Sequence, residues 1–118
     1  MTERKTGNLF DNLPSDLPEE KFDALIDENG LTLARIVSTG QATPEGDWYD
    51  QPRDALVPVV KGAAGLLFED EETAREMAPG DHVMIPAHAR HRVEWTSEQE
   101  PTVWLVLHLP DAANEPSR

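Results

Sequence analysis

The sequence predicts an all-β domain, an antiparallel sandwich or small barrel, preceded by one short helix. Two observations carry that prediction. Six short apolar runs follow one another from residue 31 to residue 109, separated by turns at Gly40, Pro44, Gly46, Pro52, Gly62, Pro79-Gly80, Pro86 and Pro101. Between them no amphipathic run is long enough to be the crossover helix that a parallel α/β sheet requires.

Asp16 with Glu19 three residues on has the form of a capping box, Pro18 fits a first helical turn, and Phe22, Leu25 and Ile26 share a helical face, so Leu17 to Ile26 is expected to be the helix. Its stripe is too narrow to build a bundle, and it is expected to pack on the sheet, with Leu9, Phe10 and Leu13 along the same surface. Asn29-Gly30 is a turn pair. The expected strands are Leu31 to Ser38, Ala55 to Lys61, Ala64 to Glu69, His82 to Ile85, His91 to Trp95 and Thr102 to Leu109. Pro58 cannot donate to a ladder and is expected at an edge or a bulge. The acidic run from Glu69 to Thr73 reads as a solvated hairpin loop, since it has no glycine to curl around an ion.

At 118 residues the chain holds one core. The folded unit is expected over 9–109, with disordered ends at 1–8 and 110–118. Ten Lys and Arg against 23 Asp and Glu give a net charge of −13, which repels phosphate backbones and anionic lipid; nucleic acid and membrane are not expected partners. The absence of cysteine excludes disulfides, thiolate metal sites and a cysteine nucleophile, leaving any metal to His, Asp, Glu or Gln. No apolar run approaches the ~20 residues of a membrane span and no signal-peptide core opens the chain, so a cytoplasmic location is expected. P-loop, GxGxxG, HExxH and GxSxG patterns are absent.

Chemistry concentrates in two stretches. His88 and His91 flank a turn where a Pro-containing loop enters a strand, an arrangement that could bring two imidazoles onto one ion. His82 reads as an ordinary strand residue. His108 lies in a run apolar at nearly every position, so strand parity leaves two inward sets open, one of them Trp104, Val106 and His108. Among the carboxylates before the second strand run, Asp50 is the candidate ligand or general base.

Gly80-Asp-His-Val-Met-Ile-Pro86-Ala-His-Ala-Arg-His91 resembles the second signature of the cupin superfamily, and the stretch from Thr43-Pro-Glu-Gly46-Asp-Trp-Tyr-Asp-Gln to Lys61-Gly62 resembles the first. Together with their intervening residues they cover about 43–95. The resemblance implies a jelly-roll-like antiparallel barrel of six to eight strands. In metal-bearing members the first signature supplies two His and a Glu, and the second supplies one more His. Carried onto this chain, those positions are Trp48 and Asp50, or Tyr49 and Gln51, then Ala55 and His91; His88 stands where the family usually has Gly. The sequence is also similar to small bacterial cupins with Trp-Tyr-Asp-Gln and Ile-Pro-Ala-His-x-x-His-Arg-Val-Glu-Trp.

Three expectations follow. In the first, Trp48, Tyr49, Asp50, Gln51, His91 and Trp95 line a pocket that binds a small polar molecule without metal. In the second, His91 and His88, joined by Asp50, Gln51 or His108, hold Zn, Ni, Mn or Fe for an isomerase- or dioxygenase-type reaction, with Asp50 and His91 the catalytic candidates. In the third, the barrel is inert and a sheet face serves self-association; a monomer or a homodimer is expected.

Overall fold

The computed structural model describes residues 6–14 and 16–110, and within them the chain forms two antiparallel sheets. In the larger sheet β1 (Lys21–Glu28), β2 (Leu31–Ser38), β8 (Thr102–His108), β3 (Ala55–Lys61) and β6 (His82–Ile85) lie side by side in that order. The smaller sheet is ordered β5 (Arg75–Met77), β4 (Ala64–Phe68), β7 (His91–Thr96). Alternation decides what each strand buries. Val57 and Val59 of β3, Leu66 of β4, Met77 of β5, Ile85 of β6 and Trp104 of β8 form one core.

The six expected strands are all present, with ends shifted by at most one residue. The expected helix is not. Residues 21–28 form a strand that pairs with β2, Phe22 opposite Ile36 and Ala24 opposite Ala34. The register then shifts between Ala24 and Ile26, and Ile26 stands opposite Leu33. A bulge places an extra residue, Leu25, in the strand and turns Ile26 to the opposite face from Phe22. The apolar spacing at 22, 25 and 26 is therefore alternation broken by a bulge, which imitates one turn of helix. Asn29 and Gly30 have φ values of 55° and 81°, the two left-handed residues of a tight hairpin turn closing β1 on β2.

β5 also went unpredicted, because three residues with two charges show little alternation. Its one inward residue is Met77, 4% exposed. The 69–74 segment is the hairpin loop between β4 and β5, with Glu71 paired to Arg75. Pro58 lies not at a sheet edge but in β3, which has neighbours on both sides; its place is the last rung with β6, opposite His82, just before a bulge toward β8 at Val59 to Lys61.

Arg35, on the face of β2 opposite Ala34 and Ile36, is buried and makes four hydrogen bonds. It donates to Asp23 Oδ2 from Nε and Nη2, at 3.1 and 2.6 Å, and to the carbonyls of Leu9 and Asp11 from Nη1, at 2.9 and 2.8 Å. One guanidinium thus ties the N-terminal arm to the β1–β2 hairpin. On the same face Val37 pairs with Val103 of β8, both wholly buried. The expectation of disordered ends at 1–8 and 110–118 falls mostly on residues outside those described. Among the described residues no helix is long and apolar enough to cross a membrane.

Candidate functional site

Between the two sheets lies a cavity of about 130 Å³. Its walls are mostly aliphatic, from Ala34, Ile36, Val57, Leu66, Val93 and Val106. Polar groups enter from Glu20, Tyr49, Gln51, His91 and His108, and aromatic rings from Phe22 and Trp104. Trp104, Val106 and His108 all line it, which resolves the parity of β8: these alternate residues point inward, while Val103 is buried on the other face.

His91 is the most enclosed of the polar residues, 6% exposed. It opens β7 and is paired across the sheet with Phe68 on one side and Tyr49 on the other. The Tyr49 amide donates to the His91 carbonyl at 2.7 Å and the His91 amide returns a bond to the Tyr49 carbonyl at 3.1 Å. The Thr43 amide adds a bond to the Val93 carbonyl at 2.8 Å, so the segment from 43 to 49 runs along β7 as a rudimentary further strand. The imidazole consequently sits between two rings, 5.6 Å from Tyr49 and 6.0 Å from Phe68. Its Nδ1–H donates to the Ala89 carbonyl at 2.8 Å, which in the neutral ring leaves Nε2 as the basic atom.

His108 and Gln51 form a second polar unit: His108 Nε2 lies 3.1 Å from Gln51 Oε1, an ordinary hydrogen-bond distance. Burial, and secondarily the nearby Arg53 cation, hold the His108 imidazolium's pKa below the usual histidine value. Arg53 itself points away: its guanidinium donates to the Gly30 carbonyl and to Thr32 Oγ1.

Glu20 is the residue that sequence reasoning missed, because it was assigned to the first turn of the expected helix. As a residue just before β1 it lines the cavity instead. Trp104 Nε1–H donates to Ser38 Oγ at 3.1 Å, and the Ser38 hydroxyl donates in turn to Glu20 Oε2. An indole N–H only donates, so the serine proton is directed to an accepting carboxylate. Burial pushes the Tyr49 phenol above its ordinary pKa; the Glu20 charge pushes it further, against a smaller opposing effect of Thr43.

The other expected site residues lie elsewhere. His88 Nδ1 meets Asp50 Oδ1 at 2.8 Å, with both side chains well exposed and neither lining the cavity. Trp48 packs under the guanidinium groups of Arg90 and Arg92, at 5.8 and 5.9 Å. Trp95 covers Gly65. Of the expected ligand-binding set, the cavity brings together Tyr49, Gln51 and His91.

The cupin resemblance implies a divalent metal, and the donors here do not fit one. Ala55, at the position of the family's Glu, offers a methyl group, and His88 and Asp50 are spent on each other outside the cavity. Gln51 and His108 are bonded to one another, which leaves the His91 imidazole as the one family ligand in place. Among the described residues no group of three or more His, Cys, Asp or Glu is placed to hold a metal ion. Ala55 does stand opposite His108 in the β3–β8 ladder, so the lost carboxylate position adjoins the added imidazole.

Residues 36–108 match the cupin domain family. Among solved structures, a candidate mannose-6-phosphate isomerase of Ralstonia eutropha is 50% identical with a TM-score of 0.89, over 91% of this chain and 99% of that one. A cupin superfamily protein of Desulfitobacterium hafniense is 19% identical with a TM-score of 0.68, over 83% and 84% of the two chains. An RmlC-like cupin of Methanocaldococcus jannaschii with a double-stranded β-helix fold is 17% identical with a TM-score of 0.69, over 94% of each. No curated protein matches the chain. With the jelly-roll sheets, the two signature segments and a family match over most of the described strands in agreement, this chain belongs to the cupin family.

Proposed function

We propose that the barrel binds a small molecule in the cavity between its sheets, through direct contacts with side chains. The observation that carries this reading is the lining itself: aliphatic walls with Glu20, Tyr49, Gln51, His91 and His108 converging from separate elements. Ligand sites have that composition, with apolar walls for affinity and a few placed polar groups for orientation. A cavity of about 130 Å³ favours a compact ligand over a sugar chain or nucleotide.

A second reading, an isomerase acting in the same cavity, draws support from the half-identical Ralstonia protein. Isomerisation by proton transfer needs a base and an acid near one substrate carbon. Glu20 and Tyr49 are groups of those two kinds lining the same cavity. The metal-dependent form of this reading has less support, given the donor set described above.

The test is a small-fragment screen by amide-resolved NMR, alongside Zn²⁺, Ni²⁺, Mn²⁺ and Fe²⁺ titrations of metal-stripped protein and of His91→Ala. Saturable fragment shifts at Gln51, His91 and Trp104 are expected, with metal shifts weak and unsaturated. Fragment shifts confined to the outer face around Trp48 and Arg90 would sink the cavity reading. Tight metal binding lost in His91→Ala would instead revive a metal centre.

A further inference from the structure

The charges around the cavity are one-sided. Among the described residues Glu20 is the only formally charged side chain in its lining, and no Lys or Arg among them lines it. Arg53, whose charge reaches His108, is committed to Gly30 and Thr32. The Glu20 carboxylate is held by the Ser38 hydroxyl, whose proton is oriented by the Trp104 indole. The rings of Phe22, Tyr49 and Trp104 line the same cavity, Trp104 buried and Tyr49 and Phe22 partly open to solvent. Carboxylate and aromatic faces together form the environment in which ammonium groups are bound, since ring quadrupoles attract cations once water is excluded. A phosphate dianion would meet the opposite: a carboxylate, no guanidinium or ammonium to pair with, and a chain of net charge −13.

Resting on the ligand-binding reading above, we infer that the cavity takes a small organic cation, an amine or quaternary ammonium, and rejects phosphorylated sugars. A 150 Å³ apolar cavity accepts a molecule the size of benzene, so a cavity of this size admits a ligand of about five to seven heavy atoms. Glu20 supplies the counter-charge and the three rings supply the cage. His108, held toward its neutral form by burial, adds no opposing positive charge.

The experiment pairs tetramethylammonium with tert-butanol, a neutral molecule of nearly the same shape, in NMR titrations of the full chain and of Glu20→Gln. Glutamine keeps an oxygen for Ser38 and removes the charge. Tetramethylammonium is expected to bind at least about tenfold more tightly than tert-butanol, with shifts at Tyr49, His91 and the Trp104 indole; that ratio is expected to fall at least about threefold in Glu20→Gln, the rings keeping the remainder. Inorganic phosphate and mannose 6-phosphate are expected to leave those resonances unmoved. Equal affinity for the two shape-matched probes would overturn the charge selectivity and leave the ligand cavity standing. Saturable phosphate binding at the same resonances would overturn the inference outright. If neither probe binds, the cavity reading itself fails along with it.

Discussion

Trp95 lies across Gly65 so closely that a Cβ on the glycine would fall 2.2 Å from the indole Nε1. The two are cross-strand partners on β4 and β7, next to the register shift at Gly65 and Leu66. The indole covers backbone that a side chain would otherwise shield, which explains why Trp95 serves the sheet rather than the cavity. Gly65→Ala forces the ring outward and is expected to cost about 1–3 kcal/mol, as overpacking does. Denaturant midpoints of Gly65→Ala, Trp95→Ala and the double variant check this. The double variant should cost less than the two single changes combined, and strict additivity would show that the two residues do not interact.

Arg35 carries a second prediction. Its side chain is 9% exposed, and its bonds reach Asp23 and two carbonyls of the N-terminal arm. Arg35→Ala leaves a half-buried carboxylate and two carbonyls without that donor and is expected to cost about 3 kcal/mol. Arg35→Lys should recover less than half, because an ammonium cannot reproduce a planar fork reaching in two directions. Hydrogen exchange at Asp11, whose amide bonds to Asn8, should accelerate in both variants. Unchanged exchange at that amide would mean that the arm is held by something else.

The strands from 31 onward, apart from the three-residue β5, were legible because alternation and Gly or Pro turns agree along each run. β1 was not, since the bulge at Leu25 rewrites a period of two as one closer to a helical spacing. That single misreading also hid Glu20: a residue in a helical first turn points to solvent, whereas one entering β1 reaches the cavity. Within the cavity lining, His91 was legible from the second family signature, the first left Trp48 with Asp50 and Tyr49 with Gln51 as alternatives, and His108 depended on strand parity. Parity in β8 was open in the sequence because both of its faces are buried, one on the core through Trp104 and the other through Val103 against Val37. The departure of His88 from glycine was visible too, and its φ of 64° shows that the backbone still requires what glycine provides.

That φ makes a third prediction, an ordering of variants. A left-handed conformation costs a residue with a Cβ about 1–2 kcal/mol. His88→Gly removes that strain but loses the exposed contact with Asp50 and adds chain entropy to the unfolded state. His88→Ala loses the contact and keeps the strain. The glycine variant is therefore expected to be more stable than the alanine variant by about 1 kcal/mol, measured by urea midpoints. The reverse order would mean that the loop changes conformation once the imidazole is removed. Neither variant should alter fragment binding at His91, since His88 lies outside the cavity.

Two cavity groups make stability depend on pH from opposite sides. His108 has its pKa lowered by burial and then by Arg53, so below about pH 6.5 the unfolded chain takes up a proton that the folded ring resists. Its contribution is present above that pH and lost as pH falls through the lower folded value. Tyr49 is raised, by burial and then by Glu20, so its contribution is present below about pH 10 and lost as pH rises through the higher folded value. The chain contains a single tyrosine, so phenolate absorbance reports Tyr49 alone. Its midpoint should lie above that of the unfolded chain and move down, without returning to the ordinary value, in Glu20→Gln, because burial remains. A midpoint indifferent to Glu20 would separate the two groups electrostatically and remove one support for a cation site. On the acid side, the His108 ring resonance should titrate below the ordinary histidine value, and His108→Gln should flatten the loss of stability between neutral pH and that midpoint.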